Sequence, residues 1–240
     1  MTISPSSRSL MDRTRELIGR GQYQAATLLL PALAALGPDL PWQAEVEAEL
    51  ACAQQQFDKA MVITEAALNR WPNSVPLLAA RSEAAMACGD LVVACVAAAD
   101  AVIHDPQWVN AKVLLGRALQ ALGKTEQAAI CFREALAQTP NDLTVRRMMA
   151  EAAPNEAVGL LRDGIKIHPN NIDLRNALIR CLLDQNQIEA ASDAADEAIE
   201  LGVANATTRL LAIETAGCTL DWSKAAALCD DAVARMGLDG

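Results

Sequence analysis

Four prolines, Pro38, Pro72, Pro106 and Pro140, stand 34 residues apart. Seven alanines, Ala26, Ala60, Ala94, Ala128, Ala157, Ala191 and Ala225, keep the same interval except for the 29 residues from Ala128 to Ala157. Self-similarity at a fixed period of this length marks an array in which each unit stacks on its neighbours instead of folding around one central core. The chain is therefore expected to be a solenoid, an architecture that points to binding rather than to chemistry.

Each proline follows one apolar helical stretch and precedes another, so it closes one hairpin and opens the next. A second break falls near the middle of the copies, at Gly21, Gln55, Gly89, Gly123, Asn186 and the Thr219–Leu220–Asp221 stretch, with apolar residues at helical spacing on both sides. Each copy thus reads as two helices. Apolar residues make up 52% of the chain but aromatics only 3%, so the core has to be built from Ala, Leu, Val and Ile, which suits helices that approach closely. Strands are not expected.

From Val109 to Pro140, the residues Leu115-Gly116, Leu119, Ala128, Phe132, Ala135 and Pro140 resemble the pattern of the tetratricopeptide repeats, which has Leu-Gly, a tyrosine, Ala, Phe, Ala and Pro at those places. Small residues at Ala128 and Ala135 suit the closest crossing of two helices. Phasing outward gives copies starting at Ser7, Pro41, Val75, Val109, Leu143, Ile172 and Ala206. The expected organisation is a flexible N-terminus over 1–6 and an array over 7–240, with copies at about 7–40, 41–74, 75–108, 109–142, 143–171, 172–205 and 206–240. Each second helix opens on a bulky residue at Tyr23, Phe57, Leu91, Ile188 and Trp222, with the crossing alanine three residues later. The resemblance implies an all-α fold, a right-handed α-solenoid superhelix of tandem helix-turn-helix hairpins.

Two departures from the family pattern stand out. The family's first-helix tryptophan is replaced by Leu10, Ala44, Leu78, Lys112, Arg146, Arg175 and Arg209, so the last four copies carry a basic residue at one recurring position. Long basic side chains there are expected to lie over apolar surface with their charges in water, or else to extend a basic patch. The fifth copy has lost about one and a half turns and contains Pro154. Either its first helix is short or a loop has been deleted, and a shortened helix is expected to separate a four-copy half from a shorter one.

Net charge is −10, with five excess acids on each side of Asp105, which argues against nucleic acid or an anionic membrane as partner. The seven cysteines never form a C-x-x-C pair, as a reducing compartment permits, and each reads as a small apolar filler within a helix. That favours the cytoplasm. The start of the chain lacks the apolar stretch of a secretory signal, and the longest apolar run, Ala25 to Leu36, contains Pro31 and is too short to span a bilayer.

No glycine-rich phosphate loop, G-x-S-x-G turn or H-E-x-x-H motif is present. Neither His104 nor His168 stands at ligand spacing from a cysteine pair, and both are expected to bond free carbonyls at helix C-termini. The acids Asp193, Asp196, Glu197 and Glu200 read as a solvated helix face. No enzyme, cofactor or metal is therefore expected.

What remains is surface. The resemblance implies that first helices line a concave groove for a peptide or protein segment, and carried over residue by residue it assigns to that groove Trp42, Glu45, Glu49, Glu83, Asn110, Arg117, Arg147, Asn176 and Arg180. The acids come from the second and third copies and the arginines from the next three, so an acidic patch is expected beside a basic one, able to read opposite charges. The bland alternative is that Glu83 and Arg117 pair with each other. Trp42 is either an aromatic anchor or terminal packing against Pro41 or Pro76. The lysine and asparagine clamp of chaperone-tail binders is absent, since its places hold Met11, Arg15, Val46, Pro76 and Ala80. A non-enzymatic interaction scaffold is thus expected. Its rivals are a recruitment module of a larger enzyme, of glycosyltransferase or methyltransferase type, a part of a secretion or assembly system, and a self-associating protein whose uncapped C-terminal end forms a homodimer.

Overall fold

A computed structural model describes residues 5–36 and 40–236. Within them the chain forms fourteen helices and no strand. They come in pairs: Pro5–Gly19 (α1) with Tyr23–Leu36 (α2), Trp42–Ala53 (α3) with Phe57–Leu68 (α4), Val75–Ala87 (α5) with Leu91–His104 (α6), and Val109–Ala121 (α7) with Thr125–Gln138 (α8). Leu143–Ala152 (α9) with Pro154–Ile167 (α10), Ile172–Asp184 (α11) with Ile188–Glu200 (α12), and Ala206–Cys218 (α13) with Trp222–Met236 (α14) complete the set. The architecture is an all-α solenoid. Two compact units divide it, the first ending at Ala135 and the second beginning at Leu136, within α8.

The helix boundaries follow local chemistry. Tyr23, Phe57, Leu91, Ile188 and Trp222 are each the first residue of a second helix. Pro72, Pro106 and Pro140 lie in connectors between pairs, whereas Pro38 lies outside the described residues, as do residues 1–4 of the expected flexible N-terminus and Gly237 to Gly240. The first helix begins at Pro5, ahead of Ser7. Side chains of Ser74, Asp90, Asp142, Asn171 and Asn205 accept from free backbone N–H groups at the starts of α5, α6, α9, α11 and α13, satisfying donors that a helix cannot satisfy itself. Inside the pairs, Gly21, Gln55, Gly89, Gly123, Asn186 and Leu220 all have positive φ. That left-handed residue reverses the chain and suits glycine or asparagine, so Gln55 at 59° and Leu220 at 58° carry a steric cost of about 1 kcal/mol each.

The fifth pair has no such residue. Its α9 is three residues shorter than the 13-residue α7 and α11, and Ala153 alone replaces the three-residue turns at 122–124 and 185–187. Together these account for all five missing residues, so the deletion is shared between helix and turn.

Packing relies on small residues. Ala26, Ala60, Ala94, Ala128, Ala157 and Ala191 are buried, while the seventh of the series, Ala225, is only half-buried. A Cβ on Gly116 would sit 2.5 Å from Phe132 Cε1, and Phe132 is fully buried; the glycine lets the ring lie against the α7 backbone. Within the first unit the first helices of successive pairs pack on each other, α1 on α3, α3 on α5 and α5 on α7, and in the second unit α11 does the same with α13.

The recurring basic residues overturn the expectation of charges in water. Lys112, Arg146 and Arg175 are buried. Arg146 Nη2, Arg175 Nε and Arg209 Nη1 donate to the carbonyls of Pro140, Pro169 and Ala204 at 2.6, 2.8 and 2.7 Å. Lys112, Arg175 and Arg209 also pair with Glu134, Glu197 and Asp231, each 22 residues onward on the second helix of the same copy. These cations tie a pair of helices together, and the three arginines also close the preceding connector. In the shortened copy the corresponding acid is Asp163, which accepts from Lys166 at 2.8 Å instead, leaving Arg146 Nε buried without a partner among the described residues.

Candidate protein-binding faces

The candidate residues fall on first helices in both units, and the first unit holds Trp42, Glu45, Glu49, Glu83, Asn110 and Arg117. Trp42 is 8% exposed and packs with Met11, Leu30, Leu33 and Val46. It is core, not an anchor offered to a partner. Arg15 of α1 binds both oxygens of Glu49 on α3, Nε to Oε2 at 2.9 Å and Nη2 to Oε1 at 2.8 Å. Its Nη2 also lies 3.8 Å from Glu45 Oε2. Glu45 is buried and accepts from Ser74 Oγ at 2.7 Å, and the same hydroxyl caps α5 by accepting from Leu77 N.

The expected acidic patch is therefore largely compensated from within, because Arg15 reaches it from the preceding copy and Ser74 from the connector that caps α5. Burial holds the Glu45 carboxyl above the ordinary carboxylate value, opposed by Ser74 and Arg15. Burial does the same to Glu83, opposed by Arg117 and reinforced by Glu49. Among the described residues no ion pair joins Glu83 to Arg117; the two interact through space. Arg117 and Asn110 are exposed. Cys52, beside these acids, has its thiol pushed up to about 12, chiefly by burial.

In the second unit Arg147, Asn176 and Arg180 line one open depression of about 700 Å³, together with Glu151, Asp173, Asp184, Gln185 and Asn205. Asn176 is buried, donating to Asn205 Oδ1 at 3.3 Å and accepting from Thr208 Oγ1 at 2.8 Å. Asn205 and Thr208 form the capping box of α13, so the amide is held by the next copy's helix start. Arg147 pairs with Glu151 one turn on. Arg180 is exposed and makes no hydrogen bond or ion pair among the described residues. Ser74, Asn205 and Thr208 were not among the candidates, and their spacings of 29 residues to Glu45 and of 29 and 32 residues to Asn176 were the available signal.

Other expectations need correction. Neither His104 nor His168 bonds a carbonyl through its side chain among the described residues, and His168 Nε2 is buried without a partner. Cys88, Cys218 and Cys229 are exposed rather than core fillers, and Cys88 caps α5 instead of lying inside it. Of the acids read as a solvated face, Asp193, Glu197 and Glu200 are indeed exposed, while Asp196 and Glu197 also pair with Lys224 and Arg175. Among the described residues no group of three or more His, Cys, Asp or Glu is arranged to hold a metal ion, and no helix is long and apolar enough to cross a membrane.

Two tetratricopeptide-repeat family models match the chain, over residues 109–152 and 148–206. No curated protein matches it. Among solved structures, a tetratricopeptide-repeat protein from Parabacteroides merdae is 15% identical, with 96% of this chain and 93% of that one covered at a TM-score of 0.62. A thermophilic repeat protein of Thermus thermophilus is 21% identical, with 74% and 99% covered at 0.60. YrrB, described as having an unusual peptide-binding site, is 15% identical, with 73% and 93% covered at 0.54. At these identities the likeness to solved structures is one of fold.

Proposed function

Since the chain is a tetratricopeptide-repeat protein, we propose that it is a non-enzymatic interaction scaffold whose first-helix face in the second unit takes an extended peptide segment bearing a carboxylate. The observation that carries this reading is Arg180, an exposed cation without a partner among the described residues, lining a depression of about 700 Å³. A carboxylate bound there gains a charge-assisted hydrogen bond to guanidinium, while the tethered amides of Asn176 and Asn205 offer a pre-organised polar floor. Glu151, Asp173 and Asp184 on the rim disfavour densely acidic ligands, so the segment is expected to carry mixed charge. The peptide-binding site described for YrrB is consistent with this use of the fold.

The test is a fluorescence-polarisation screen of extended peptides of mixed charge against the full chain, followed by Arg180→Glu. Reversal should weaken capture at least tenfold with helix content unchanged, and Arg117→Glu in the first unit should matter less. Full retention of binding by Arg180→Glu removes the reading.

A further inference from the structure

On the other side of the first unit, Leu28, Val62, Val96 and Ile130 are 80%, 68%, 56% and 53% exposed and stand 34 residues apart. They occupy the same position on α2, α4, α6 and α8, so each projects from the corresponding place on its second helix. On α2 and α6 neighbouring exposed residues extend the apolar character, since α2 has no charged residue between Tyr23 and Leu36 and α6 adds Val92 and Ile103, 65% and 70% exposed; on α4 and α8 the row is flanked by exposed charges, Lys59 and Glu65, Glu126 and Arg133. The second unit supplies a control. Allowing for the missing five residues, the equivalent positions are Gly159, Asp193 and Ala227, all exposed. Folding of a copy therefore does not require an aliphatic side chain there, and the first unit keeps one in every copy at the expense of exposing it to water.

We propose that this second-helix face is the contact surface of a two-fold dimer of the chain, in which two copies meet antiparallel. A row of four evenly spaced aliphatic residues is self-complementary about an axis between its second and third members, as an isologous contact requires. Leu28 of one copy then faces Ile130 of the other, and Val62 faces Val96. Beside Val96 lies a hollow of about 340 Å³ lined mostly by apolar residues, among them Leu68, Leu78, Val92 and Val96, with Arg81 and Asp100 also on its wall. The projecting Val62 of the second copy enters that hollow, and symmetry makes the contact twice.

The size of the face fits such a dimer. Helices of 14, 12, 14 and 14 residues, at about 1.5 Å per residue, run about 20 Å. Three steps of about 10 Å between copies give a face of about 600 Å² per partner. The total of about 1,200 Å² stands at the lower end of specific interfaces, so the dimer is weak, and its energy is concentrated on the central Val62 and Val96.

Light scattering and sedimentation of the full chain through the micromolar range test this. The native chain should associate reversibly with concentration. Val62→Asp and Val96→Lys, each at an exposed site, should separately raise the dissociation constant at least tenfold with unchanged circular dichroism. Combined in one chain they should recover association, because the antiparallel contact sets Asp against Lys across the axis. A native chain that stays monomeric, single variants that associate as the native chain does, or a double variant no better than the singles would overturn the proposal. Loss of the dimer on Trp222→Ala alone would assign the contact to α14 and overturn it too.

Discussion

Gly116→Ala tests how the helices of a pair are brought together. The added Cβ would lie 2.5, 2.8 and 2.9 Å from Cε1, Cζ and Cδ1 of Phe132, a ring with no exposed surface to which it can retreat. Overpacking of this kind costs about 1–3 kcal/mol, against which replacing a mid-helix glycine by alanine gains about 1 kcal/mol. The net expectation is a loss of about 1 kcal/mol. Gly159 sits inside α10 with nothing near its missing Cβ, so Gly159→Ala should keep the whole helix-propensity gain and stabilise by about 1 kcal/mol. Two chemically identical substitutions should thus differ by about 2 kcal/mol in opposite directions. Urea unfolding reads the stabilities, and native-state hydrogen exchange in α7 and α10 reports each site locally, as suits an array whose copies need not unfold together. In a double-mutant cycle, Phe132→Leu should rescue Gly116→Ala with a coupling of about 1 kcal/mol or more. If Gly116→Ala stabilises as much as Gly159→Ala, the close approach of Phe132 is not the reason for the glycine.

Arg175→Ala should cost about 3 kcal/mol by urea unfolding, since it empties a site only 4% exposed and frees the Pro169 carbonyl without a donor. Glu197→Gln should cost under about 1 kcal/mol, because that carboxylate is 61% exposed. Glu83 makes stability depend on pH: its folded pKa is raised, chiefly by burial, so the folded state binds more protons than the unfolded one, and stability falls as pH rises from the ordinary carboxylate value through the folded one. Glu83→Gln should shrink that fall between acidic and neutral urea midpoints, and an unchanged fall would show that Glu83 is not responsible.

Much of the fold was legible because each copy repeats its punctuation. Glycine or asparagine at the left-handed position and a bulky residue two places later mark the second-helix starts at Tyr23, Leu91 and Ile188 locally. Gln55 and Leu220 carry no such propensity, but the period supplies them. The site was less legible, because its chemistry arises between copies. Nothing near Glu49 foretells Arg15, which reaches it only after two first helices have packed. The basic series was misjudged for the same reason: a guanidinium beside an apolar stretch looks like a solvated charge until the hairpin closes and brings in a carboxylate 22 residues away. In hindsight that acid recurs at 134, 197 and 231, and at 163 once the deletion is counted. Trp42 was ambiguous because burial of a residue at a helix start depends on the helices before it.

Ala153 bears on how the chain would respond to force. One residue makes the bend there that three make in the pairs on either side, and the following Pro154 fixes its own φ and restricts its predecessor, which sits at φ −126° and ψ 73°. Such a joint has few torsions left to yield. Under tension the fifth pair would travel as a single block, and elastic give would be taken up by the longer bends of its neighbours.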